Sequence, residues 1–143
     1  MEEGIKVLVA FDGSKESRNA VSEAADIANR FHGSVTVLNV YWDPVATRHE
    51  PMVERVEGAS IGDQGSIRLL EDAEPILKEK KAEYSLRPER DSNVPKTILR
   101  IAEADGYGCI ALGSRGMGGA RAWLLGSVSS KVIAKAPCPV IVA

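Results

Sequence analysis

The stretch from Ile5 to Val40 reads IKVLVAFDGSKESRNAVSEAADIANRFHGSVTVLNV and contains the pattern of a strand, a helix and a second strand. Ile5 to Phe11 is short, apolar and β-branched, which is typical of a strand buried on both faces of a sheet. Apolar residues then recur at helical spacing until Gly33, and Ser34 to Val40 is again rich in β-branched residues. This order, with such short turns, predicts a parallel crossover.

The alternation continues in the second half of the chain, after a stretch from Tyr41 to Ser66 whose scattered prolines and glycines predict an irregular loop. The remaining expected elements are a helix carrying Ile67, Leu70, Ala73 and Leu77 with Pro75 kinking it or displacing its start, an edge strand from Ala82 to Arg87, a helix opened by Pro95, a buried strand from Cys109 to Leu112, a helix from Val128 to Ala136 and a last strand from Val140 to Val142. Five strands and about four helices predict one α/β domain over residues 1–143, an open parallel sheet with helices on both faces.

Composition excludes several classes of protein. The chain has 143 residues, 44% of them hydrophobic and 27% charged, which fits one globular domain and argues against disorder and membrane spans. The net charge of -2 argues against a general nucleic-acid binder. This charge is unevenly divided, because residues 106–143 contain four Lys or Arg and no acid, which leaves 14 basic against 20 acidic residues, or -6, in the first 105.

The two cysteines, Cys109 and Cys138, are expected to be structural thiols. The first residues run from acids straight into a strand pattern without a secretory signal, so a reduced, cytoplasmic location is expected. No cysteine or histidine cluster has metal-ligand spacing, and we expect no metal site built by the protein.

Open parallel sheets bind ligands at the carboxyl ends of their strands, where the winding direction reverses. Two loops at such ends carry chemistry that a core does not need: Asp12 after the first strand, and the run GSRGMGGARAWLLGSVSSK from Gly113 to Lys131. Its five glycines let backbone N–H groups approach a phosphate, a helix start adds further donors, and Arg115 can reach phosphate oxygens. A flexible connection with glycines for its turns is the alternative interpretation.

The spacing within this run decides between the two. Gly113-x-x-Gly116, nine residues and then Gly126-Ser127 resembles the ATP-binding signature of the universal stress protein family. VLVAFDGSKESRNAV at the start, LGSRG after the fourth strand and APCPVIV at the end are similar to that family in the same order. The resemblance implies a Rossmann-like sheet of the adenine nucleotide alpha hydrolase type in the order 3-2-1-4-5.

The resemblance also implies roles for individual residues. Asp12 is expected to contact adenine or ribose, backbone groups of Val40 to recognise the adenine edge, and the glycine loop and following helix start to hold ribose and phosphates. Asp12 has an alternative role as a turn former. The residues expected to bind the nucleotide are Ala10, Asp12, Val40, Leu112, Gly113, Arg115, Gly116, Gly126, Ser127, Val128 and Ser129.

The function expected from this resemblance is a stress-response binding module that holds ATP or AMP. It is expected to be a homodimer through Val140 to Val142, an apolar edge strand without charge or proline. Two alternatives stay open: a slow ATPase using Mg²⁺ carried with ATP, and a nucleotide-free stress protein acting through a partner. We assign no catalytic residue, because the sequence beside the expected phosphates has serines and Arg115 but no carboxylate or histidine.

Overall fold

The computed structural model describes residues 4–42, 63–115 and 125–143. Its sheet has five strands in the order β3-β2-β1-β4-β5, and every neighbouring pair is parallel. The predicted architecture and strand order are therefore confirmed. The strands are β1 (Lys6–Ala10), β2 (Ser34–Tyr41), β3 (Glu83–Arg90), β4 (Cys109–Leu112) and β5 (Val140–Val142).

Helices cover both faces of this sheet. The sheet separates the interior into two apolar clusters, one on each face. The helices are α1 (Lys15–Arg30), α2 (Glu74–Glu79), α3 (Val94–Ala104) and α4 (Ser127–Lys135), and residues 63–71 are also helical. One face packs against α1 and the helical segments between residues 63 and 79, with Val21 and Leu70 in that cluster. The other face packs against α3 and α4 through Ile98 and Val132.

The observed bounds differ from the sequence prediction by one residue at several element ends, and by more in two places. β3 continues beyond Arg87 to Arg90, and it can contain Pro88 because an edge strand has a hydrogen-bonded partner on one side only. The irregular loop predicted from Tyr41 to Ser66 is too wide at both ends, since Tyr41 pairs with Arg90 in the sheet and residues 63–66 are helical. Residues 43–62 of that prediction lie outside the described part of the chain.

Pro75 acts at the position expected of it. The helical residues 63–71 end at a turn formed by Asp72 and Ala73, and Pro75 then lies in the first turn of α2. Proline has no backbone N–H, and this costs nothing in the first turn of a helix, because the N–H groups there have no acceptor within the helix. The second helical region therefore consists of two consecutive segments on one face of the sheet.

The two cysteines are both free thiols, and Cys109 is buried in β4. Burial raises the pKa of each thiol above its ordinary value. Both thiols are therefore poor nucleophiles at neutral pH, which fits a structural role. Within the three described stretches, no helix is long and apolar enough to cross a membrane.

Candidate functional site

The carboxyl ends of three adjacent strands bring predicted site residues together. Ala10 ends β1, Val40 lies near the end of β2, and Leu112 ends β4. All three pack into the apolar cluster on the α3 and α4 face, together with Val128 from the first turn of α4. Four of the expected residues thus belong to or contact one apolar cluster, in which Leu112 is buried and Ala10, Val40 and Val128 are partly exposed.

Asp12 begins the turn that leads from β1 into α1. Its Oδ1 accepts a hydrogen bond from the Ser14 backbone N–H at 2.9 Å, and the Ser14 Oγ caps α1 by accepting from the Ser17 N–H at 3.1 Å. These bonds show the turn-forming role that was the alternative interpretation of Asp12. Contact with a ligand stays a prediction for this residue.

Gly126 is the N-cap of helix α4, and it has no side chain that could cap the helix. The sequence predicted this helix from Val128, which would make Ser127 its N-cap; that expectation is wrong, because Ser127 is already the first helical residue. The first three helical N–H groups have no acceptor within a helix, so those of Ser127, Val128 and Ser129 are the donors for which a ligand can compete. The first turn contains no acidic residue.

Hydrogen bonds join this helix start to the loop that follows β4. The Gly126 N–H donates to the Ser114 carbonyl at 2.7 Å, and the Ser129 Oγ donates to the Gly113 carbonyl at 2.6 Å. Ser114 is also held by the chain end, because its N–H donates to the Ala143 carbonyl at 2.8 Å. The two halves of the glycine motif are therefore fixed against each other, although Gly116 lies outside the described residues.

Arg115 forms an ion pair that the sequence did not reveal. Its Nη2 lies 2.7 Å from the Glu16 Oε2, and only 28% of the arginine side chain and 19% of the glutamate side chain are exposed. A hydrogen bond from its own backbone N–H and the Arg115 guanidinium hold the pKa of Glu16 below its ordinary value of 4.5. The carboxylate is therefore ionised at neutral pH, beside a loop expected to hold phosphates.

Because Gly113 has no side chain, the loop after β4 can pack against the first turn of α1, which contains Glu16. A Cβ atom placed on Gly113 would lie 2.8 Å from the backbone carbon of Glu16 and 2.8 Å from the Ser17 nitrogen. The end of β4 therefore approaches the first turn of α1 as closely as a glycine allows. The sequence indicated only a ligand-binding role for this glycine, and its packing against α1 is visible only in the structure.

Asn39, like Glu16, lies beside the predicted site residues without having been predicted from the sequence. It is buried on the face of β2 opposite to Val40, and its Nδ2 donates to the Phe11 carbonyl at 2.9 Å. Its Oδ1 accepts from the Ser66 Oγ at 2.8 Å, and Ser66 is also buried. This amide thus links the residue before Asp12 to the helical segment 63–71. A buried polar residue within an apolar strand was the available clue.

We expect Ser66→Ala to lower the free energy of unfolding by about 1 kcal/mol, because it leaves the buried Asn39 carbonyl oxygen without this donor. Urea denaturation followed by circular dichroism measures the change. Ser22→Ala in the middle of α1 is the matched control and should be neutral or slightly stabilising, since alanine is the better helix former. Equal stabilities of the two variants would show that the Asn39 bridge contributes nothing.

The described residues contain no cluster of side chains suited to binding a metal ion. Across residues 4–42, 63–115 and 125–143, no group of three or more His, Cys, Asp or Glu side chains could hold a metal ion.

Comparison with known proteins gives consistent matches along the chain. A family model described as the universal stress protein family matches residues 5–143. The chain is 31% identical to the universal stress protein YxiE of Bacillus subtilis, over 96% of this chain and 97% of that protein.

Two solved structures share the fold. A universal stress protein in complex with cAMP has a TM-score of 0.72 at 20% identity, covering 99% of this chain and 98% of that one. The universal stress protein from Archaeoglobus fulgidus in complex with dAMP has a TM-score of 0.64 at 24% identity, covering 99% and 97%. Both resemble this chain over almost its whole length.

Proposed function

Since the chain belongs to the universal stress protein family, we propose that it binds an adenine nucleotide, ATP or AMP, and acts as a regulatory module in the stress response. The observation that carries the proposal is the 2.7 Å hydrogen bond from the Gly126 N–H to the Ser114 carbonyl. It joins the two halves of the glycine motif, so that an uncapped helix start lies beside the loop after β4. The relatives solved with cAMP and dAMP support an adenine nucleotide as the class of ligand.

The base and ribose bind over Ala10, Val40 and Val128, which are partly exposed and pack against the apolar cluster that contains Leu112. Backbone groups of Val40 recognise the adenine edge, and Asp12 contacts the ribose or the base. A mostly apolar lining with a few polar groups that fix the ligand's orientation is typical of a small-molecule site.

The phosphates bind at the start of α4, where the N–H groups of Ser127, Val128 and Ser129 supply donors and the helix dipole favours negative charge. Ser129 contributes through its N–H, because its hydroxyl is engaged with Gly113. Gly116, which lies outside the described residues, and Arg115 complete the proposed phosphate loop.

Binding rather than turnover is the activity that this site supports best. The carboxylate beside the glycine loop, Glu16, is engaged by Arg115 and lacks the freedom of a general base. Mg²⁺ would arrive with ATP as part of the ligand. We further propose that the protein is a cytoplasmic homodimer joined through β5, which is an edge of the sheet and whose Val142 is exposed.

Calorimetric titration of ligand-free protein with adenosine, AMP and ATP tests the proposal. We expect binding of at least one of these compounds at micromolar concentrations, and release of a bound adenine compound when the purified protein is heat-denatured. Dissociation constants of about 1 mM or weaker for all three, which is about -4 kcal/mol, would contradict the proposed function. Phosphate release measured with and without Mg²⁺ distinguishes the module from a slow ATPase.

A further inference from the structure

The Glu16 and Arg115 pair lies where the proposed phosphate loop meets the first turn of α1. Glu16 comes from the beginning of the chain and Arg115 from the loop after β4, and their closest atoms are 2.7 Å apart. Both side chains are mostly covered, so solvent screens the pair less than it screens an exposed one.

The charges of this pair cancel. The segment from residue 106 to the end carries four basic residues and no acid, which indicates a strongly attractive environment for phosphates. Glu16 neutralises one of those four positive charges, because its carboxylate lies against the guanidinium of Arg115. A phosphate chain that uses Arg115 must compete with this carboxylate.

We propose that Glu16 determines how strongly the site discriminates between adenine compounds of different phosphate number, by neutralising Arg115 in the ion pair. This inference rests on the proposed function. The cost that Glu16 imposes grows with the negative charge of the ligand. Glu16 therefore leaves adenosine unaffected, weakens AMP slightly and weakens ATP most.

Packing holds Glu16 in this position. The absence of a side chain on Gly113 allows the loop to approach the Glu16 backbone, and the neighbouring Ser14 and Ser17 fix the first turn of α1 through its N-cap hydrogen bond. Glu16 is also at the start of a helix, where the dipole favours a carboxylate. The carboxylate is therefore a fixed part of the loop environment.

Glu16→Gln tests the inference, because it removes the charge and retains the shape and an acceptor oxygen. We expect the affinity for ATP to rise about tenfold, that for AMP about threefold and that for adenosine to stay unchanged, at low salt. Arg115→Met should produce the reverse gradient, with ATP weakened most. The gradient should shrink when the ionic strength is raised to about 0.5 M.

Glu23→Gln is the matched control, since Glu23 is exposed on the same helix and its replacement makes the same change in net charge. It should leave all three affinities unchanged. A purely structural role of Glu16 would shift the three ligands equally, and that result, or no shift at all, would overturn the inference while leaving the proposed function intact. If adenosine, AMP and ATP all fail to bind the unaltered protein, the proposed function fails and the inference fails with it.

Discussion

Gly126→Asp should weaken ATP binding at least 100-fold, about 2.7 kcal/mol, while leaving the fold as stable as before or slightly more stable. Gly126 is the N-cap of α4, and its backbone is in an extended conformation that any residue adopts, with φ -70° and ψ 164°. Aspartate is a strong N-cap, so its carboxylate would accept from the second or third helical N–H. It would occupy donors that the phosphates need, and its charge would repel them.

The loss should depend on the ligand, being largest for ATP, smaller for AMP and smallest for adenosine, in titrations at one salt concentration. Asn93→Asp is the matched control, because Asn93 caps α3 by accepting from the Lys96 N–H at 3.0 Å and aspartate caps as well as asparagine. It adds the same charge at another helix start and should not alter binding. An unchanged ATP affinity in Gly126→Asp would show that the phosphates bind elsewhere.

The alternation of strands and helices in one parallel sheet was predictable, because it depends on local patterns and chain topology. Short β-branched runs such as Ser34 to Val40 alternate with helical periodicity, and parallel crossovers leave few arrangements for five strands. The resemblance to one family then supplied the order. Ala10 and Val40 could be assigned to the same edge of the sheet because parallel strands end together.

The contacts between distant side chains were not predictable in this way. Glu16 and Arg115 are 99 positions apart, and nothing in the sequence around either residue indicates its partner. The Asn39 amide bridge likewise depends on which face of β2 the side chain occupies and on where the helical segment 63–71 packs. Such pairings follow from tertiary packing rather than from local pattern.

The ion pair also changes the meaning of the uneven charge distribution. A basic segment of +4 on an acidic body suggests an anion site whose attraction comes from side chains. With Arg115 neutralised by Glu16, the proposed site would depend more on the backbone donors at the start of α4. A glycine motif suits such a site, because close approach of the backbone matters more there than the number of basic residues.

Gly113→Ala should lower the free energy of unfolding by about 2 kcal/mol, which is typical for one added carbon in a closely packed place. The new Cβ would lie 2.8 Å from the backbone carbon and from the Cβ of Glu16, and 2.8 Å from the Ser17 nitrogen. A flexible side chain could move aside, but two of these three atoms belong to the backbone of α1. The first turn of that helix, or the end of β4, must therefore shift.

Gly65→Ala is the matched control for this variant. Gly65 lies in the helical segment 63–71, and a Cβ there has no atom within 4 Å. The same added carbon should stabilise the protein by up to about 1 kcal/mol, because alanine restricts the unfolded chain and favours a helix. Urea denaturation of both variants measures the two changes, and their opposite signs are the expected result. If Gly113→Ala were as stable as the unaltered protein, the glycine would serve ligand approach alone and the close contact between β4 and α1 would carry no energy.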